Sequence, residues 1–80
     1  MLTNRAVALR IARLLREKKM TQYRLERKSG VLHSTMTNII NENNKSILLN
    51  TLIMIGRGFD MTIQEFLDDP LFADSELEVE

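Results

Sequence analysis

Gly30 separates two short segments that each read as helix, and this arrangement narrows the fold more than any other feature of the chain. Upstream, Thr21 is a good N-cap for a helix over about 22–28, because its side-chain oxygen can accept from a free backbone N–H of the first turn. Arg24 stands where a capping box would want Glu or Gln, so the box is incomplete. Gly30 falls where a chain leaves a helix in the left-handed conformation, which costs glycine little and a residue with a Cβ more. A second helix then starts near Leu32 or His33 and runs to about Asn41, and ENNKS at 42–46 has loop composition.

The rest of the chain supplies helices for this pair to rest on. Residues 4–18 place Val7, Ala8, Ile11, Leu14 and Leu15 on one side of a helical wheel, with Arg5, Arg13 and Arg16 opposite and Leu9 among the arginines. Lys18 and Lys19 suit the C-terminal dipole of that helix. Residues 49–57 are apolar nearly all round (Leu49, Leu52, Ile53, Met54, Ile55), which predicts a central buried helix ending at Gly58 and Asp60. Thr62-Ile63-Gln64-Glu65 is a complete capping box opening a fifth helix, with Ile63, Phe66 and Leu67 at i, i+3 and i+4, and Asp69-Pro70 stops it. The short acidic stretch LFADSELEVE either packs through Leu71, Phe72 and Leu77 or frays. No segment alternates as a strand would. The expectation is an all-α, compact bundle of five short helices.

The helix after Gly30 has two unlike faces. With Ser34 at zero and 100° per residue, Asn41, Asn38, Thr37 and His33 fall at about −20°, +40°, −60° and −100°. Leu32, Met36, Ile39 and Ile40 fall at about 160°, 200°, 140° and 240°. An ordinary solvent face would favour Glu, Lys, Arg or Gln, whereas Ser, Thr and Asn are poorer helix formers because their side chains compete for the backbone. A helix entering the DNA major groove has a use for such short donors and acceptors, which let its backbone approach base edges closely. A short capped helix, a glycine turn and a second helix are also the parts of a helix-turn-helix.

Charge is consistent with this. The formal net charge is zero, yet residues 1–45 carry ten basic residues against three acidic ones, and residues 46–80 carry one against eight. Such polarity suits a polyanion on the basic half, although charge alone does not separate this from an ordinary solvated surface.

The stretch MTQYRLERKSGVLHSTMTNI at 20–39, followed by TLIMIGRGFDMTIQEFL at 51–67, resembles the Cro and phage-repressor (XRE) family of helix-turn-helix proteins. With the first helix the likeness covers about residues 5–68. The resemblance implies a lambda-repressor-like fold with the helix-turn-helix at helices 2–3, a DNA-binding domain at 1–69 and a short acidic tail at 70–80. It implies a sequence-specific, DNA-binding transcriptional regulator, bacterial or from a phage or mobile element and cytoplasmic, reading the major groove with residues 32–41. His33, Ser34, Thr37 and Asn38 stand where the family reads bases. Gln22, Asn41, Asn43 and Lys45 stand where it holds the DNA backbone, and Gln22 also stands where it braces a neighbouring reader. The partner implied is double-stranded DNA, with a pseudo-palindromic operator if the protein forms a homodimer through Leu9 or the apolar residues of the later helices and tail.

Three positions depart from the family pattern. Glu26 replaces a small Ala packed between the second and third helices, and it either tilts outward or pairs with a nearby Arg or Lys. Leu32 replaces a capping Ser, Thr or Pro, a loss of about 1 kcal/mol. Glu42 replaces a glycine and puts an acid close to where phosphates would lie.

Other classes fare less well. An alternative reading is a protein-interaction module, antitoxin-like or a regulator's partner, docking through the acidic C-terminal half. An enzyme is disfavoured by a single His, no Cys, no glycine-rich phosphate loop and no isolated acid pair, and no cofactor or metal is expected. The longest apolar runs, ILL at 47–49 and LIMI at 52–55, are far below the roughly 20 residues that cross a bilayer, and the N-terminus has no signal-peptide layout.

Overall fold

Helix α1 spans Thr3–Glu17, α2 Gln22–Ser29, α3 His33–Ile40, α4 Leu49–Gly58 and α5 Ile63–Leu67 in the computed structural model, which describes residues 1–79. Two short 3-10 turns follow, Pro70–Phe72 and Asp74–Glu76, and a lone parallel bridge joins Leu2 to Glu78. The architecture is all-α with five helices, as the periodicity predicts.

The buried stripe runs through every helix. Val7, Ile11 and Leu14 of α1 meet Leu25 of α2, Met36 and Ile39 of α3, Ile55 of α4 and Phe66 of α5, with Val31 and Phe59 closing gaps at the turns. The element with the most buried side chains is α1, which also buries Ala6, Ala8 and Arg10. This corrects the expectation for α4. Only Ile55, Gly56 and Gly58 of α4 are buried, whereas Leu49 is 62% exposed and Leu52, Ile53 and Met54 are half-buried. A helix apolar on all sides still needs neighbours on all sides to be central, and α4 has solvent along its outer edge.

Local chemistry sets the helix ends. The Thr21 hydroxyl accepts from Arg24 N–H at the start of α2, and Gly30 ends that helix at φ 78°. Thr62 and Glu65 form the reciprocal capping box of α5. At the ends of α1, α3 and α4 the left-handed residue is Lys19 (φ 52°), Glu42 (φ 59°) or Asp60 (φ 60°) rather than glycine. In each case the next N–H reaches back to close the helix: Met20 to Leu15 O at 2.8 Å, Asn43 to Asn38 O at 2.8 Å, Met61 to Gly56 O at 2.9 Å. Gly58 is the last residue of α4, as expected, and an added Cβ there would stand 2.8 Å from Leu25 Cδ1 and 2.9 Å from Ser29 Cβ, so α2 and α4 approach closely at this point.

A buried ion pair ties the two ends of the fold together. Arg10 Nε donates to Phe66 O at 2.8 Å, a carbonyl at the end of α5, and its Nη2 to Glu65 O at 3.1 Å, which also accepts from the Asp68 N–H. Its Nη1 meets Asp69 Oδ2 at 3.1 Å, and Arg13 reaches the same oxygen at 2.8 Å. Burial alone would push the Asp69 carboxyl up, but the Leu71 N–H, Arg13 and Arg10 outweigh it and hold the group below its ordinary 3.8. The tail packs rather than frays: Phe72 sits with its ring centroid 6.1 Å from that of Phe66, Leu71 and Leu77 are half-buried, and Glu78 N–H donates to Met1 O.

Candidate nucleic-acid interface

The α3 helix presents its polar edge to solvent because its other edge is fixed in the core. Met36 is 0% and Ile39 2% exposed, whereas His33, Ser34, Thr35, Asn38 and Asn41 are all exposed. Leu32 and Ile40 depart from the wheel. Leu32 is 72% exposed, since as the N-cap residue it has left the helical path, and it makes no side-chain cap; Ile40 is only half-buried.

Four side chains join α2 to α3. Gln22 Nε2 donates to Glu26 Oε2 at 2.8 Å and to Thr37 Oγ1 at 3.1 Å. His33 Nδ1 lies 2.8 Å from the same Glu26 oxygen, and Thr37 Oγ1 is 3.5 Å from His33 Nε2. Glu26 thus neither tilts outward nor pairs with Arg or Lys; its carboxylate is 10% exposed and faces Gln22 and His33. The hydrogen bonds from Gln22 and then His33 hold its carboxyl below the usual 4.5.

This network sorts the residues expected from the sequence. His33, Ser34 and Asn38 stand together on the open edge, with Thr35 beside them. Thr37 is half-buried and hydrogen-bonded to α2, so it braces the edge more than it lines it. Gln22 acts as the brace, and a phosphate contact from its side chain would have to displace one of its two bonds. Asn41, Asn43 and Lys45 are exposed along the end of α3 and the following loop. That loop is fastened to α1, where Asn4 Nδ2 donates to Asn44 O at 2.8 Å and Arg5 pairs with Glu42 at 3.3 Å. The Arg5 pair partly neutralises the acid that replaces the family glycine.

The structure also redistributes the charge counted along the chain. Arg5, Arg10, Arg13 and Lys28 are engaged by Glu42, Asp69 and Asp60, and Lys28 holds the Asp60 carboxyl below its ordinary 3.8. Lys18, Lys19, Arg24 and Lys28 line one exposed cleft at the α1–α2 turn, and Arg27 lies over the Tyr23 ring. Among the described residues the tail does not cover α3, although Glu78 and Val79 line a cleft with Lys45, Ser46 and Ile47. No helix among the described residues is long and apolar enough to cross a membrane.

Two short helices joined at a left-handed glycine, the second anchored by Met36 and Ile39 and open along a hydrogen-bonding edge, define a helix-turn-helix DNA-binding domain. The model of the Cro/C1-type HTH DNA-binding domain matches residues 10–70 of the 80, and the chain belongs to that family. No curated protein and no solved structure matches the chain.

Proposed function

We propose that the protein is a sequence-specific transcriptional regulator whose α3 enters the major groove. His33, Ser34 and Asn38 read base edges, Thr37 supports them, and Asn41, Asn43 and Lys45 hold the flanking phosphates. The observation that carries this reading is the open edge of α3, polar and short-chained, on a helix whose opposite side is anchored in the core by Met36 and Ile39. Asn can pair bidentately with adenine, while Ser and His bond to base edges or phosphate oxygens. Affinity comes mainly from cations against phosphates and selectivity from α3.

A homodimer on a pseudo-palindromic operator is part of the proposal, with half-sites about one helical turn apart. Leu48 and Leu49, 74% and 62% exposed, are apolar surface for such a contact. Selection of bound sequences from a random duplex library tests the reading: a recovered motif with two-fold symmetry is expected. Binding that is undetectable even at low salt would instead support the protein-interaction module. Mass-resolved scattering that finds only monomer, with and without operator, would remove the dimer.

A further inference from the structure

We propose that Glu26 is a positioning residue that decides which atom of His33 faces the DNA, and thereby which bases His33 accepts. This rests on α3 being the reading helix. An ionised carboxylate only accepts hydrogen bonds, so the neutral His33 ring keeps its proton on Nδ1, 2.8 Å from Glu26 Oε2. A free neutral histidine side chain prefers the proton on Nε2, so Glu26 inverts the usual tautomer. Gln22 donates to the same oxygen at 2.8 Å and aims it.

Exposure divides the pair into anchor and reader. The Glu26 side chain is 10% exposed within the α2–α3 seam, whereas His33 is 77% exposed and projects outward. With Nδ1 committed, Nε2 carries a lone pair. Its only neighbour within hydrogen-bonding reach among the described residues is the Thr37 hydroxyl at 3.5 Å, a contact at the edge of significance. In its neutral form His33 therefore approaches DNA as an acceptor. It pairs with the exocyclic amine of adenine or cytosine and is mismatched against guanine O6 or thymine O4, which are themselves acceptors.

The protein has one histidine, which makes the test clean. Imidazole nitrogen NMR of the intact protein, read at a pH on the alkaline plateau of its own spectrum, is expected to find the Nδ1–H form. Glu26→Ala, which installs the residue the family places in this seam, is expected to return the proton to Nε2. An Nε2–H ring in the unsubstituted protein overturns the proposal. Selection of bound duplexes at the same pH supplies the second arm. His33→Ala and Glu26→Ala should each lose, on the order of fivefold, the preference for adenine or cytosine at one and the same base pair. If His33→Ala alters that position and Glu26→Ala does not, the role of Glu26 fails while α3 remains the reading helix. If His33→Ala alters nothing, the proposal falls together with the assignment of His33 as a base reader.

Discussion

Replacing Asp69 with alanine strips a buried charge of its partner, and the structure sets the size of the effect. The Asp69 side chain is 7% exposed and that of Arg10 9%, while Arg13 at 36% keeps access to water. Asp69→Ala leaves the Arg10 guanidinium with two carbonyls and no counter-charge, a situation that costs about 3–5 kcal/mol. Arg13 can rehydrate, which places the expectation near the lower end of that range. The Leu71 N–H also loses its acceptor at 3.0 Å. An 80-residue domain has about 4–12 kcal/mol of stability in total, so a loss of about 3 kcal/mol removes a quarter or more of it. In a domain of this size that loss lowers Tm by about 12–24 °C. Urea titration followed by far-UV circular dichroism measures it directly. A companion double substitution, Arg10→Met with Asp69→Leu, should recover only part of the loss: it removes the uncompensated charge, but Phe66 O and Leu71 N–H are left without their side-chain partners. A loss under about 1 kcal/mol for Asp69→Ala, the value of an exposed pair, would refute the claim that this pair is shielded from solvent.

Three further outcomes follow from other parts of the fold. Gly58→Ala should destabilise by about 1–3 kcal/mol, since the new methyl meets Leu25 and the Ser29 backbone and forces α2 from α4; thermal unfolding reads it. Glu42→Gln should free Arg5 and remove an acid beside the loop proposed to face phosphates, raising affinity for nonspecific duplex and steepening the slope of log K against log salt by about one unit. Glu26, Asp60, Glu65 and Asp69 all have depressed carboxyl values, so the folded chain binds protons less readily than the unfolded one. Their contribution is intact above the ordinary 4.5 and 3.8 and is lost as pH falls through the lowered values. Tm should therefore hold from about pH 7 to about 5 and drop below that; a Tm that rises on acidification would contradict the pairings.

What the sequence made legible was local. Thr21, Gly30 and the Thr62–Glu65 box mark helix boundaries through contacts spanning three or four residues, and the α3 wheel separates Ser34 and Asn38 from Met36 and Ile39 without reference to any other element. The left-handed ends at Lys19 and Glu42 were hidden because the usual signal, glycine, is missing and the closing N–H does the work instead. Whether an apolar helix is central depends on how many neighbours it has, which is why α4 reads as buried and is not. Arg10 and Asp69 lie 59 residues apart, and no spacing rule connects them. Glu26 and His33 are separated by seven residues that cross a turn, so their contact follows only once the angle between α2 and α3 is known.

The proposed regulator works only if the open edge of α3 discriminates among bases. The direct measurement is competition binding of the selected operator against unrelated duplex, for the native chain and for Ser34→Ala with Asn38→Ala. Loss of operator preference with nonspecific affinity retained is expected. An undiminished preference would mean that the bases are read from somewhere else.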